Sequence, residues 1–182
     1  MKKLALLAIV LSLTLLLTAC VSNNNNTNNV DYSDSPLVGT WQEMEYGFHG
    51  NAIFVWSFGA DGRFAYLFTA YEPPQAGGSV KSSVREIYMQ GSYRVNGGTI
   101  ECYDVKIDDY FSWGDKWKYF EDRSSEALSS KLLSTKLKNA KGTDSFTVNF
   151  LFDNESKLHL TLDRGGFPDQ YEKTFELVAN SR

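Results

Sequence analysis

Histidine and cysteine are scarce in this chain, and each scarcity excludes something. Only two histidines occur, His49 and His159, so a histidine-based metal site has no material. His49 falls in a turn between Gly47 and Gly50, and His159 on the polar side of an alternating run; both read as solvated surface residues. The two cysteines, Cys20 and Cys102, form neither a Cys-x-x-Cys pair nor a disulfide framework. A Gly-x-Ser-x-Gly elbow and a P-loop are absent, and Gly77-Gly78 and Gly165-Gly166 sit in loop-like stretches without a following helix. No catalytic residue, metal or cofactor is therefore expected, and the chain reads as a non-enzyme. Basic charge is also short. Lysine and arginine number 18 against 22 acids, and setting aside Lys2 and Lys3 in the leader leaves a balance of −6. Such a domain has no electrostatic footprint for nucleic acid.

Long apolar runs are missing except at the start. Lys2 and Lys3 precede an apolar stretch, Leu4 to Leu17, which is too short for a spanning helix of about 20 residues. It has the length of a secretory h-region. Leu17, Thr18, Ala19 and Cys20 follow. This resembles the lipobox of bacterial lipoproteins: an aliphatic residue, two small residues, then a cysteine whose thiol accepts diacylglycerol. The resemblance implies a signal peptide over 1–19, lipid attachment at Cys20, and residence at the cell membrane on the extracytoplasmic side. Two acyl chains, at about 0.8 kcal/mol per buried CH₂, give stable anchoring. With Cys20 lipidated, Cys102 is a lone thiol, and Ile100, Tyr103 and Val105 around it suggest a buried strand position. Residues 20–35 are rich in asparagine and nearly devoid of apolar side chains, which reads as a flexible tether.

What the chain has in quantity is aromatic residues, 14% of the total. From residue 36 to 182 the hydrophobic period is 2 rather than 3.6, the mark of half-buried strands. Phe54, Trp56 and Phe58 alternate with Val55 and Ser57; Phe64, Tyr66 and Phe68 follow the Gly59-Ala60-Asp61-Gly62 turn. Ile87, Met89, Tyr93 and Val95 share a face, with Gly91 placed for a bend or bulge. Asn96-Gly97-Gly98 is a hairpin signal. Tyr103, Val105, Ile107, Phe111 and Trp113 read as one face of the next strand, and a turn at Gly114-Asp115 leads into Trp117 and Tyr119. Three more strands are carried by Phe146 to Phe152, Leu158 to Leu162, and Phe175 with Leu177. Leu128, Leu132 and Leu133 recur at helical spacing between Ser124 and Lys138, which predicts a short helix capped by Ser124 over a barrel end. The fold class expected is all-β, an antiparallel up-and-down β-barrel of about 8–9 strands with one short helix; a half-open sandwich is the alternative.

Leu37-Val38-Gly39-Thr40-Trp41, then Phe58, Asp61, Gly62 and Phe64, then Gly91, Tyr93, Val95 and Gly97, resemble the motifs of small bacterial lipocalin-like lipoproteins. The resemblance implies a lipocalin-like barrel with Trp41 plugging its closed end and Arg164 as the nearest candidate for the arginine that packs on it. Barrels of this kind host carriers, inhibitors and occasional enzymes, so fold does not fix function.

Two function classes follow. One is a binding module for a small apolar or amphipathic ligand, lined by the candidate inward residues Trp56, Tyr66, Met89, Tyr93, Tyr103, Asp109, Trp113 and Phe150. The other is a filled barrel that serves as an interaction or inhibitor module of the cell envelope, binding another protein or the cell wall. An eight-stranded barrel is just wide enough for either. Six aromatics crowd the eleven positions from Tyr110 to Phe120, as core or as an exposed binding surface. Asp109 breaks the alternation on the apolar side. It is turned out by a bulge, placed at a wet rim, or aimed into the lumen as a ligand contact.

Overall fold

In the computed structural model the described residues are 31–47, 50–74, 81–127, 132–162 and 171–179. His49, Leu128, Arg164 and the whole leader with Cys20 lie outside them. Nine strands form one sheet: β1 (Gly39–Gly47), β2 (Gly50–Phe58), β3 (Arg63–Glu72), β4 (Ser83–Asn96), β5 (Thr99–Trp113), β6 (Lys141–Gly142), β7 (Phe146–Asn154), β8 (Lys157–Leu162) and β9 (Tyr171–Ala179). Each long strand pairs antiparallel with the next, and β9 returns to pair with β1. Eight strands thus close an up-and-down barrel, and the two-residue β6 is an extra pairing on β5. Closure removes the exposed edges that a meander of this length would otherwise present.

The turns are those the glycines allow. Gly62 and Gly97 sit at φ 76° and 61°, the left-handed conformation a side chain resists. Gly97 and Gly98 alone connect β4 to β5, with Asn96 paired to Thr99. A β-bulge interrupts the β4–β5 ladder: Gln90 pairs with Lys106, but Ser92 pairs with Tyr103. Gly91 therefore faces two residues, Asp104 and Val105, and Asp104 adopts φ 52°.

Alternation sorts each strand into an inner and an outer face. Trp41, Trp56, Phe58, Phe64, Tyr93 and Phe175 fill the interior, each at most 1% exposed. Burying a large apolar side chain contributes about 1.5–3 kcal/mol. Cys102 is part of this core, and burial pushes its thiol far above the usual range. At the lower end, where β1 begins, Trp41 Nε1 donates to the Leu37 carbonyl at 2.9 Å and its ring lies 5.7 Å from Phe152. Tyr32 stacks on Tyr93 at 4.9 Å, and its backbone N–H donates to the Ala60 carbonyl. Asp31 to Ser35, read from composition as the end of the tether, thus lie with the barrel unit, which begins at Asp31.

The helix departs from expectation in position and in place. It is α1 (Trp117–Ala127), so Trp117 and Tyr119 are helical rather than extended. Gly114, at φ 130°, breaks the strand, and its N–H donates to the Ser82 carbonyl. Trp117 and Phe120 then fall three apart and pack on Tyr71, which a strand could not arrange. Ser124 caps nothing; its hydroxyl donates back to the Phe120 carbonyl. Nor does the helix cover a barrel end. It lies on the outer wall, where Ile53, Val55, Ala65, Leu67 and Tyr88 form a second apolar cluster with Phe120 and Leu132. A short 3₁₀ turn (Leu132–Ser134) continues this layer, held by Tyr88, whose hydroxyl donates to the Leu132 carbonyl. Gln90 Nε2 reaches the Thr135 carbonyl at 2.7 Å from the same wall.

Candidate functional site

The inward positions expected to line a ligand divide into two groups. Trp56, Tyr66 and Met89, with Tyr93, are 1–3% exposed and pack against one another's neighbours. Trp56 alone meets Phe58 at 5.6 Å, Phe64 at 5.9 Å and Tyr66 at 4.7 Å. Side chains with so little water-accessible surface do not line a ligand-sized void. These four are core. Tyr93 donates its hydroxyl to the Gly59 carbonyl at 2.9 Å, and burial pushes its pKa upward. Trp56 Nε1 is sealed from water and finds no hydrogen-bond partner among the described residues. Phe150 is half-buried against the same cluster and 5.7 Å from Phe152.

Tyr103 is a correction. Straight alternation puts it inside with Val105, but the bulge at Asp104 inserts one residue and turns it outward. It is exposed, with the Arg94 guanidinium 6.0 Å from its ring.

Asp109 and Trp113 belong to the upper end, where β1, β3 and β5 finish and β2 and β4 begin. Asp109 pairs with Ile87 and so keeps the inner-face register, but it sits at the rim, half-exposed, 3.5 Å from Arg85. Trp113 is exposed too, edge-on to Phe111 at 5.0 Å. Of the nine large apolar side chains exposed among the described residues, six gather here: Met44 and Tyr46 of β1, Tyr110, Phe111 and Trp113 of β5, and Trp117 of α1. Tyr110 also meets Tyr119 at 5.6 Å, so part of the aromatic run is surface.

The inner face at this end carries charges that patterning by hydrophobicity passed over. Lys173 is in phase with Phe175 and opposite Leu160, so it points into the barrel. Its ammonium lies 4.1 Å from the Phe54 ring centroid and 3.5 Å from Glu43 Oε2, and it also contacts Glu45. Burial raises the Glu43 pKa; Lys173 opposes that rise and Glu45 adds to it. Alternation from Trp41 through Glu43 and Glu45 was the available signal.

One further constellation lies on the outer wall. His159 Nε2 is 2.7 Å from Asp153 Oδ2, and His159 Nδ1 is 2.8 Å from Thr174 Oγ1. His159 is thus bonded on both nitrogens rather than simply solvated. The connectivity matches a nucleophile–base–acid relay, but His159 and Thr174 are cross-strand partners. Strand N–H groups lie in the sheet plane, across from the direction of the Thr174 side chain, so the described residues build no oxyanion site there. No protein-family model matches this chain, and neither do curated proteins or solved structures.

Proposed function

We propose that the chain is a lipid-anchored envelope protein whose filled barrel is a scaffold, and that it binds a macromolecular partner through its upper end. The observation that carries this reading is the placement of six exposed large apolar side chains at one end of a barrel whose core side chains, Trp41, Trp56, Tyr66, Met89 and Tyr93 among them, are at most 3% exposed. Aromatic residues, methionine and arginine are enriched at protein interfaces, with other charged groups kept to the rim. The Phe111–Trp113 edge, flanked by the Arg85–Asp109 pair, has that composition. Anchoring by Cys20 would leave the domain on the extracytoplasmic side. A carrier of small amphipathic ligands is the second reading. It draws on the Lys173 ammonium inside the upper lumen and on the unpartnered Trp56 Nε1.

The test is site-specific photo-crosslinking in cells that make the full chain. A photoreactive residue at position 111 or 113 is expected to give discrete adducts, whereas one at Leu151, exposed on β7, gives none. Stoichiometric uptake of cis-parinaric acid with no adduct at 111 or 113 would overturn the scaffold reading in favour of the carrier.

A further inference from the structure

On one side, β5 outruns its neighbours. β4 pairs with it from end to end, with Asn96 opposite Thr99 and Ser83 opposite Trp113. On the other side β7 meets only Thr99 to Cys102, and β6 only Lys106 and Ile107. Among the described residues, Asp109 to Trp113 therefore have a strand on one side alone. The closure that covers strand edges lower in the barrel stops short of this segment.

Register fixes which backbone groups are left over. The Gly114 N–H donates to the Ser82 carbonyl, so by alternation Tyr110 and Ser112 also turn their backbone groups toward β4. The Val105 carbonyl accepts from the Thr143 N–H on the opposite side. Asp109, Phe111 and Trp113 share the phase of Val105, and their N–H and C=O groups point out of the sheet edge. Such a row is a template for another strand, and proteins usually blunt it with lysine, proline or a bulge. Asp109 to Trp113 contain no lysine or proline, the bulge lies lower at Asp104, and the one charge is engaged by Arg85 at 3.5 Å. β1 differs. Its ladder with β9 covers only Thr40 to Gln42, but above that its inner face carries Glu43 and Glu45, with Lys173 of β9 against both.

The β5 edge is complementary to itself. Laid antiparallel on a second copy with Phe111 opposite Phe111, it sets Asp109 opposite Trp113 and Tyr110 opposite Ser112. Every outward N–H and C=O of one copy then meets one of the other. No like charges face each other, and an aromatic pair stands at the centre. The neighbouring registers are worse. One sets Trp113 against Ile107, which β6 already holds, and the other sets Asp109 against Asp115.

We infer that two copies of this chain join through the Asp109–Trp113 edge of β5, antiparallel about Phe111, into one sheet continuous across both barrels. This rests on the reading of the upper end as an interaction surface and names its partner as a second copy. The contact uses the same patch on both chains, so it closes on a two-fold axis and yields a dimer rather than a filament.

The experiment uses cells that make the full chain in two differently tagged forms, each with a photoreactive residue at position 113. The expected adduct carries both tags and has the mass of a dimer. Phe111→Glu in both forms sets carboxylates against each other at the axis and should cut that adduct about tenfold or more. Phe111→Lys in both should do the same. Phe111→Glu in one form with Phe111→Lys in the other should restore it, which neither misfolding nor loss of a general apolar patch can do. Phe111→Pro should abolish the adduct too, since proline there removes only an outward donor and leaves the β4 ladder whole. A mixed pair that fails to recover, or a ladder of adducts beyond the dimer, overturns the inference. So does an adduct that holds only some other protein, a result that leaves the interaction reading standing. Absence of any adduct at 111 or 113 removes both.

Discussion

Arg123 of α1 grips Glu86 of β4 with two parallel hydrogen bonds, Nε to Oε2 at 2.6 Å and Nη2 to Oε1 at 2.7 Å. Tyr119, one turn earlier, adds its hydroxyl to Glu86 Oε2 at 3.2 Å. Burial and the Glu86 charge push the Tyr119 pKa up to about 12, so it remains a donor at neutral pH. Both ions of the pair are largely out of water, with side chains 16% and 8% exposed. Removing one partner leaves the other buried and uncompensated, at about 3 kcal/mol. Arg123→Ala should therefore shift the urea midpoint strongly downward. The double variant Glu86→Leu with Arg123→Met should recover most of that loss. A single-variant shift within error would mean that α1 is held by its apolar face alone.

The lower end depends on Trp41 in the same way. Its indole is fully buried, and its N–H is the partner of the Leu37 carbonyl. Trp41→Ala is expected to lower stability by about 3–5 kcal/mol. Trp41→Phe keeps most of the packing but orphans the carbonyl, so its loss should be smaller than that of the alanine variant. Thermal melts of both proteins order the two effects. A reversed order would remove Trp41 from the role of plug.

Gly91 shows both the reach and the limit of reading the chain by period. Alternation located the barrel strands because one face of each is dry, and a glycine amid Met89, Tyr93 and Val95 correctly marked a bend. The bulge does fall at Gly91, as its glycine allowed, but the strand that carries the extra residue was not legible: Asp104 in a left-handed conformation has no sequence signature strong enough to shift Tyr103 from the inner to the outer face. The helix was misplaced because Trp117 and Tyr119 also fit a period of 2, and only the chain reversal at Gly114 excludes a strand. Lys173, Glu43 and Glu45 were in phase with the core throughout. A lone charge on an inner face reads as an error until the partner from the other end of the chain is seen beside it. For Gly91 the consequence is direct. An added Cβ would lie 2.7 Å from the Tyr103 carbonyl oxygen and 2.8 Å from the Phe64 ring. Neither can retreat within a closed ladder, so Gly91→Ala should cost about 1–3 kcal/mol, measured by denaturant unfolding.

Anchoring should depend on one sulfur. Cys20→Ser is expected to abolish incorporation of a palmitate analogue in growing cells. Cys102, the other cysteine, is a poor substitute acceptor: it is buried, and burial holds its thiol protonated. Label that persists in the Cys20→Ser protein would show that the lipobox resemblance misassigns the attachment site.

Glu43 makes the upper end sensitive to pH, with a definite sign. Its carboxyl faces the lumen opposite Phe54, and Oε2 is closed off from water, with Lys173 3.5 Å away. Loss of hydration is the largest influence and raises the pKa above 4.5; the Lys173 charge lowers it, and Glu45 raises it again. A group whose pKa is higher folded than unfolded binds more protons in the native state between the two values. Stability then falls as pH rises through that window. The contribution is fully present below the unfolded pKa and lost above the folded one. Glu43 should therefore contribute a loss of stability as pH rises from about pH 4 through its raised pKa, against the usual trend for paired carboxylates. Glu43→Gln fixes the neutral form and should flatten that segment of the curve, while Lys173 retains Glu45 as its partner. Urea midpoints of both proteins at half-unit pH steps provide the comparison. A steeper rise toward neutral pH in the wild type than in Glu43→Gln would mean that the Lys173 attraction outweighs desolvation, and the sign assigned to Glu43 would be wrong.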